Sequence, residues 1–433
     1  MCDGNGGTTT IADDADLPPD DADPCKVPAC SAGQPAVADA PDGTTCADGD
    51  ACTQTDTCQA GMCVGADPLA CAANETCTAG ACVCPSGTYT PVLTTVAMAS
   101  KNGDTEVADL DGDGKLDLIT VESASGGNGN VSVRLGLGDG TFGPLVQYVV
   151  ARSYGVTAAD VNGDRKPDIA LVGAQTNNVH VMLNQGDGTL AAAVGYPTNA
   201  FPFYIAAADV NDDGAVDLAV AYLSDDNVSV FLNQGDGTFA EKVDYLIPGV
   251  GGSDGLTAGN LDADGKPDLV FSRDNTANVL LNQGDGTFGA ATSYPVGPGI
   301  RVVDIADLND DGSLDLAAAY FSGSTSGVSV LLNQGDGSFA AAVDHAVILG
   351  AIGIAAGDID GDGDPDLAVA SPSTNTLSVY LNPGDARFGA PATYSMAKGA
   401  YGMTAGDLNA DGRSDCLIGG SDPVQVYLST CAP

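Results

Sequence analysis

The segment "DLDGDGKLDL" (residues 109–118) places carboxylates at Asp109, Asp111, Asp113 and Asp117, with Gly112 and Gly114 between them. Like charges so close repel, and the spacing asks for a partner. Calcium is one: it takes about six to eight oxygens at roughly 2.3–2.6 Å, and a loop with carboxylates at positions 1, 3 and 5, glycine at 6 and a backbone carbonyl at 7 wraps around it. Counting from Asp109, the four aspartates occupy positions 1, 3, 5 and 9, Gly114 stands at 6, and Lys115 offers the carbonyl. The other reading is an acidic surface turn, since Asp and Gly are ordinary turn residues.

The frame recurs as "DVNGDRKPD", "DVNDDGAVD", "NLDADGKPD", "DLNDDGSLD", "DIDGDGDPD" and "DLNADGRSD", so that copies begin at residues 109, 160, 209, 260, 307, 358 and 407. Intervals of 47 to 51 residues mark a repeat architecture. Each copy is followed by a short apolar run such as "DLAVAY", a polar turn, a second run such as "NVSVFLNQ", and a "GDGTF" element or variant ending at Phe142, Leu190, Phe239, Phe288, Phe339 or Phe388. Runs of this length, rich in Val, Leu and Ala and bounded by Gly, Asp and Asn, predict strands. A third strand, often containing Tyr-Pro (Tyr196-Pro197, Tyr294-Pro295), and a fourth leading into the next acidic loop complete four antiparallel strands per repeat. Because proline cannot donate a ladder hydrogen bond, the Tyr-Pro strand belongs at an edge.

Units of about 50 residues with four strands pack radially as the blades of a β-propeller. The expected fold is all-β: seven four-stranded antiparallel blades. The chain stops at Pro433, short of a seventh "GDGTF", but "SGTYTPVLTTVAM" (86–98) has Tyr89 20 residues before Asp109, as Phe142 lies 18 before Asp160. This N-terminal segment is expected to supply the outer strand of the last blade and close the ring.

On these motifs residues 87–433 resemble the FG-GAP repeats of integrin α-subunit propellers and the related bacterial VCBS-type repeats. The resemblance implies up to seven calcium ions, each in the hairpin between the first and second strands of a blade. Carried over position by position, it implies as ligands Asp160, Asn162, Asp164 and Asp168; Asp209, Asn211, Asp213 and Asp217; Asn260, Asp262, Asp264 and Asp268; Asp307, Asn309, Asp311 and Asp315; Asp358, Asp360, Asp362 and Asp366; and Asp407, Asn409, Asp411 and Asp415. Two loops depart from the pattern. Arg165 replaces the glycine at position 6 of the second, where a left-handed backbone costs a non-glycine residue roughly 1–2 kcal/mol, and Asn260 replaces the first aspartate of the fourth. Both are expected to bind weakly.

The chain carries 58 acidic and 14 basic residues, a formal charge of −44. Nucleic acid is excluded as a partner, because binding it rests on basic residues neutralising phosphate. Thirteen cysteines point to an oxidising compartment. Ten of them fall between Cys25 and Cys84, in a segment too poor in large apolar residues to build a core, which predicts a disulfide-rich module over 25–86 with five bridges of unassigned connectivity. This module resembles short cysteine-rich repeats beside surface domains of bacterial, especially myxobacterial, proteins. Cys416 and Cys431 flank the last hairpin and are expected to bridge. Cys2 is left over, ahead of a Gly-, Asp- and Pro-rich stretch to residue 24 that reads as a flexible tether; it suits a lipidated N-terminal cysteine or an intermolecular disulfide. Together these features predict a monomeric extracellular or surface protein, touching a membrane only through a lipid at Cys2.

A hydrolytic triad needs a positioned base, and the only histidines are His180, in a strand slot that holds Ser132, Ser229, Ser329 and Ser378 in sister repeats, and His345, in an outer strand. Neither reads as catalytic, and no enzyme is expected; the rival reading, a glycan lyase, would draw on Arg165 and Lys166, and a purely structural coat is the third. The leading expectation is binding of a protein or glycan. Its candidate residues break the repeat in the connections into the innermost strands: Tyr154, Phe201, Phe203, Tyr204, Arg301, Lys398 and Tyr401. Aromatic and Arg side chains are favoured interface anchors, although the same residues could instead pack between blades.

Overall fold

The computed structural model describes residues 25–31, 34–46, 53–60, 62–68, 76–78, 81–83, 91–98, 102–123, 128–247, 253–347, 350–397, 399, 402–420 and 423–430. Cys2, Lys398, Tyr401 and Cys431 lie outside them. The chain divides into two compact units, the first ending at Thr88 and the second running from Tyr89 to Thr430.

The second unit is the expected ring of seven four-stranded antiparallel sheets. In blade 3 the order from the axis outward is Pro202–Ala208, Asp217–Tyr222, Asn227–Phe231 and Val243–Leu246. The second strand, "DLAVAY", is buried at all six positions. It lies inside a stack of sheets, and both of its faces meet a neighbouring blade, which is why its sequence is continuously apolar and not alternating. The outer strand "VDYL" is exposed except at Tyr245. Its single inward ring sets its register. The Tyr-Pro strands Val194–Pro197 and Thr292–Pro295 stand at blade edges, as proline requires. The innermost strands neighbour one another in sequence order, and that of blade 7 (Met403–Gly406) neighbours that of blade 1 (Asn102–Ala108). Val92–Val96 pairs antiparallel with Val424–Leu428 and completes blade 7, so the N-terminal strand closes the ring.

Adjacent blades are joined by an aromatic contact at the rim. The outer-strand tyrosine of one blade meets the "GDGTF" phenylalanine of the next edge-on: Tyr196–Phe239 and Tyr245–Phe288 at 5.3 Å, Tyr294–Phe339 at 5.2 Å. The tyrosine hydroxyl continues across the seam, Tyr245 donating to the carbonyl of Gly286 at 3.0 Å. Blade 5 has His345 in this slot. Its ring keeps the edge contact with Phe388 at 5.4 Å, but its buried Nε2 has no partner, and burial holds its pKa below the ordinary histidine value.

Among its described residues the first unit holds three two-stranded hairpins, Lys26–Ser31 with Gln34–Asp39, Thr53–Gln59 with Met62–Pro68, and Thr76–Thr78 with Ala81–Val83. Cys25 bridges Cys58 and Cys46 bridges Cys63. Cys25 and Cys58 are fully buried with Ala40, so sulfur takes the place of a hydrocarbon core. Cys431, the partner expected for Cys416 in the last blade, lies outside the described residues. Cys416 is a free, fully buried thiol whose pKa burial pushes up to about 12. Tyr427 stands opposite Cys416 in the strand register.

Replacing His345→Tyr restores the hydroxyl that its sister blades use and removes an unsatisfied ring nitrogen. The variant should be the more stable by about 1 kcal/mol, seen as a higher melting temperature near neutral pH. A melting temperature equal to or below wild type would show that the orphaned nitrogen carries no penalty.

Candidate functional site

Each acidic loop connects the innermost strand of a blade to the second. In the first loop, Asp109 accepts hydrogen bonds from the backbone N–H groups of Gly112 (2.7 Å), Asp113 (3.1 Å) and Gly114 (2.9 Å). Asp113 in turn accepts from Lys115 N–H at 3.0 Å. The loop winds its amides around its own carboxylates, and those amides offset part of the repulsion between them. Asp160, Asp209, Asp307, Asp358 and Asp407 are held in the same way. Position 6 has φ of 82° at Gly114 and 67° at Arg165. Arg165 therefore adopts the glycine conformation and still donates to Asp160 at 2.6 Å, so the second loop keeps its shape despite the substitution.

The fourth loop differs more. Asn260 Oδ1 is buried without a hydrogen-bond partner, whereas the aspartates in its place elsewhere are wrapped by N–H donors. A buried acceptor with no donor is an oxygen that a cation would satisfy. The side-chain donors of the loops, carboxylate oxygens joined by amide oxygens at Asn162, Asn211, Asn260, Asn309 and Asn409, are the hard-oxygen chemistry that calcium takes. The residues fit the ion.

Position 9 has a second duty that spacing alone does not reveal. Asp117, Asp168, Asp217, Asp268, Asp315, Asp366 and Asp415 are at most 1% exposed. Asp117 accepts from Leu110 N–H and from Gly136 N–H, both at 2.7 Å, and thereby ties the acidic loop to the end of the third strand. All seven repeat this clamp, for example Asp366 with Ile359 (2.9 Å) and Asn382 (2.7 Å). Burial pushes the carboxyl pKa up to about 6 at Asp117, Asp217, Asp268 and Asp315, to about 7 at Asp415 and to about 8 at Asp366.

A further tie comes from the asparagine of "LNQGDG", to which the motif reading assigns no role. Asn184, Asn233, Asn282, Asn333 and Asn382 are buried, and each donates from Nδ2 to the position-2 carbonyl of the preceding blade's loop at 2.7–2.8 Å. Each also donates to the position-8 carbonyl of its own loop, as Asn282 does to Pro267 at 2.9 Å. Two acidic loops are thus pinned by one side chain. The signal was its recurrence at a fixed offset.

The loops are graded by position 7. Lys115 and Arg413 place a cation 2.7 Å from Asp113 and Asp411, and Lys266 lies 3.5 Å from Asp264. Ala215 and Ser313 are neutral there, and loop 6 has Asp364. Burial raises the Asp364 pKa, with Asp362, Asp310, Asp358 and Asp307 adding to the effect. Oxygens of Asp109, Asp111 and Asp117, and of Asp358, Asp360 and Asp366, come within 4.8 Å of one another. Loop 6 combines that convergence with five aspartates and no internal cation.

On the opposite face, three of the aromatic candidates come together. Tyr154 and Phe203 stack at 4.6 Å, Phe203 and Tyr204 lie 5.0 Å apart, and Arg152, absent from the candidates read in the sequence, sits 5.1 Å above the Tyr154 ring. Phe201 is 55% exposed at a φ of 58°, and its carbonyl accepts from Leu223 N–H. Arg301 is exposed on the innermost strand of blade 5, apart from this cluster. His180 meets Thr176 Oγ1 at 3.1 Å, and burial lowers its pKa.

Two outcomes follow from the clamps. Asn282→Ala removes two donors from buried carbonyls and an acceptor from Gly284 N–H; it should destabilise the ring by roughly 2–4 kcal/mol, read as a fall in melting temperature, and an unchanged value would mean that the tie is not structural. The raised carboxyl pKa values mean that the folded protein without metal binds protons more tightly than the unfolded chain. Its stability is therefore highest below about pH 4 to 5 as far as these groups are concerned and is lost as pH rises through about 6 to 8. In EGTA the melting temperature should be higher at pH 5 than at pH 8, and calcium should reverse the order by stabilising the ionised form. The same order in both buffers would contradict metal relief of these carboxylates.

A family model described as FG-GAP-like repeat matches residues 109–171, 160–220, 209–271, 260–318, 307–369 and 358–418. No curated protein matches the chain. Among solved structures, an Agrocybe aegerita lectin that recognises non-reducing terminal N-acetylglucosamine is similar at 22% identity and TM-score 0.51, over 75% of this chain and 87% of that one. BBS1N, solved in complex with ARL6DN, is similar at 11% identity and TM-score 0.53, over 77% of this chain and 93% of that one. At these identities the structural likenesses establish the propeller fold alone. Six consecutive matches across most of the ring, on loops whose geometry repeats blade by blade, place this chain in the FG-GAP-like repeat family.

Proposed function

We infer that this protein is a calcium-stabilised binding propeller, secreted or displayed at a cell surface, which engages a protein or glycan through the face opposite the acidic loops. The observation that carries the reading is the stacked Tyr154–Phe203–Tyr204 group with Arg152 over it. The repeat does not fix these residues: Tyr154 and Phe203 share a position that holds Gly103, Asp254, Arg301 and Ile352 in other blades, and the sister positions of Tyr204 include Gly255, Gly353 and Gly402. Rigid aromatic rings bury area at low entropic cost, and Arg adds hydrogen-bonding reach, which is the chemistry of an interface anchor. The similar lectin and the BBS1N complex are support of a coarser kind: propellers of this shape bind a sugar in one case and assemble with a protein in the other. The disulfides of the first unit suit an oxidising compartment, where calcium near the millimolar level fills even modest sites.

Calcium holds the acidic loops and leaves the opposite face free to bind. Loop 6 is the tightest site, and loops 2 and 4 are the weakest. The paired change Asp358→Asn with Asp362→Asn should remove more of the calcium-dependent rise in melting temperature than Asp160→Asn with Asp164→Asn, and equal losses would refute the ranking by local charge. For the ligand face, wild type and a Tyr154→Ala/Phe203→Ala variant are compared on a glycan array that includes chains ending in N-acetylglucosamine, and in cross-linking to intact cells. Binding in either assay that falls at least tenfold in the variant, with the calcium response intact, supports the assignment. Binding that the variant retains, or none by wild type in both assays, overturns it.

A further inference from the structure

The innermost strands enclose a cavity of roughly 400 Å³ on the ring axis. Counted back from the start of each acidic loop, the third residue of every innermost strand lines it. In chain order these are Glu106, Thr157, Ala206, Thr257, Asp304, Ala355 and Thr404, a ring of two carboxylates, three hydroxyls and two alanines. Two residues closer to the strand starts, Asp104 and Tyr204 also line it. Structural duties in this ring repeat from blade to blade, as the clamps at position 9 do. These carboxylates do not repeat, and among the described residues no Lys, Arg or His lines the cavity.

The placement of charge is specific. Asp104 and Glu106 belong to blade 1 and Asp304 to blade 5. Around a closed ring of seven these blades lie on nearly opposite walls. Each carboxylate is anchored by a backbone N–H. Asp104 accepts from Thr105 at 3.0 Å and Val156 at 3.3 Å, Glu106 from Val107 at 2.9 Å, and Asp304 from Ile305 and Ala356 at 2.9 Å each. None is paired with a cation among the described residues. The hydroxyls of Thr157, Thr257 and Thr404, from three further blades, make no hydrogen bond to other described residues and stand between the two carboxylate-bearing walls. A single calcium ion needs its oxygens together at roughly 2.3–2.6 Å, which carboxylates on facing walls do not provide. Charges spaced along a flexible aliphatic chain do meet them, and the methylenes between would rest on the small apolar side chains of Ala206 and Ala355.

We propose that the central channel binds a linear aliphatic polyamine, its ammonium groups held by Asp104 and Glu106 on one wall and Asp304 on the other, with the threonine hydroxyls accepting its remaining N–H bonds. The site is separate from the acidic loops and shares only Tyr204 with the aromatic group; the variants below leave that ring in place, so the proposal stands or falls independently of the binding function above.

The test is isothermal titration calorimetry of the full chain with spermidine, in excess calcium so that the acidic loops are already filled. The expected result is one saturable site, with butylamine binding at least tenfold more weakly. Glu106→Gln with Asp304→Asn should weaken spermidine at least tenfold, while Asp139→Asn with Asp236→Asn, which removes the same charge from exposed loops, should leave it unchanged. If the channel variant does not fold, Thr157→Val with Thr257→Val keeps the charge, removes two acceptors and should weaken binding severalfold. Absence of saturable heat, equal weakening in the channel and surface variants, or equal affinity for butylamine would each overturn the proposal.

Discussion

The ring depends on seven buried aspartates at the ninth position of the acidic loops. Each grips one N–H at the start of its own loop and one at the end of the third strand. Without the clamp, the loop would be a hairpin turn loosely attached to a blade. With it, the loop is fastened to the sheet, and the asparagine of the next blade fastens it again. The arrangement has an electrostatic consequence. Seven carboxylates are taken out of water where burial opposes their charge, a few ångströms from further carboxylates at positions 1, 3 and 5. Backbone amides satisfy the hydrogen bonds but leave the net charge. A divalent cation is the economical remedy, and the same residues that build the blade are those that would hold it.

Much of this was legible in the sequence. The interval of about 50 residues, the strand-length runs and the prolines at edges led to seven four-stranded blades, and the short count at the C-terminus led to the closing strand now seen at Val92–Val96. These signals are legible because they come from repetition, and repetition is visible in one dimension. What was not legible depends on contacts between blades. The role of Asn282 lies in a carbonyl 72 residues away, and its recurrence announced importance without naming the partner. Arg152 carries no signal in one dimension, because its meaning lies in the guanidinium's place over the ring of Tyr154.

The departures from the repeat divide into two kinds. At His345, Asn260 and Arg165 a residue departs from the common solution and leaves a small local deficit: an orphaned nitrogen, an orphaned oxygen or a left-handed backbone. At Tyr154, Phe203, Glu106 and Asp304 the departure adds chemistry that no blade needs for its own packing. The first kind distinguishes one acidic loop or one seam from its sisters. The second kind points toward recognition, on the open face in one case and in the channel in the other. Both can be read only because the other blades serve as internal controls.

The central claim is that the acidic loops hold calcium as part of the folded structure. It is tested most directly by counting ions: the full chain is dialysed against buffered free calcium from the micromolar to the millimolar range, and bound metal is measured by mass spectrometry against protein concentration. The account predicts stepwise filling that begins with a site lost in the Asp358→Asn/Asp362→Asn variant and reaches several ions per chain, up to seven, by millimolar calcium. Less than one ion per chain at millimolar calcium would contradict it and leave the amide-wrapped carboxylates as turns in their own right.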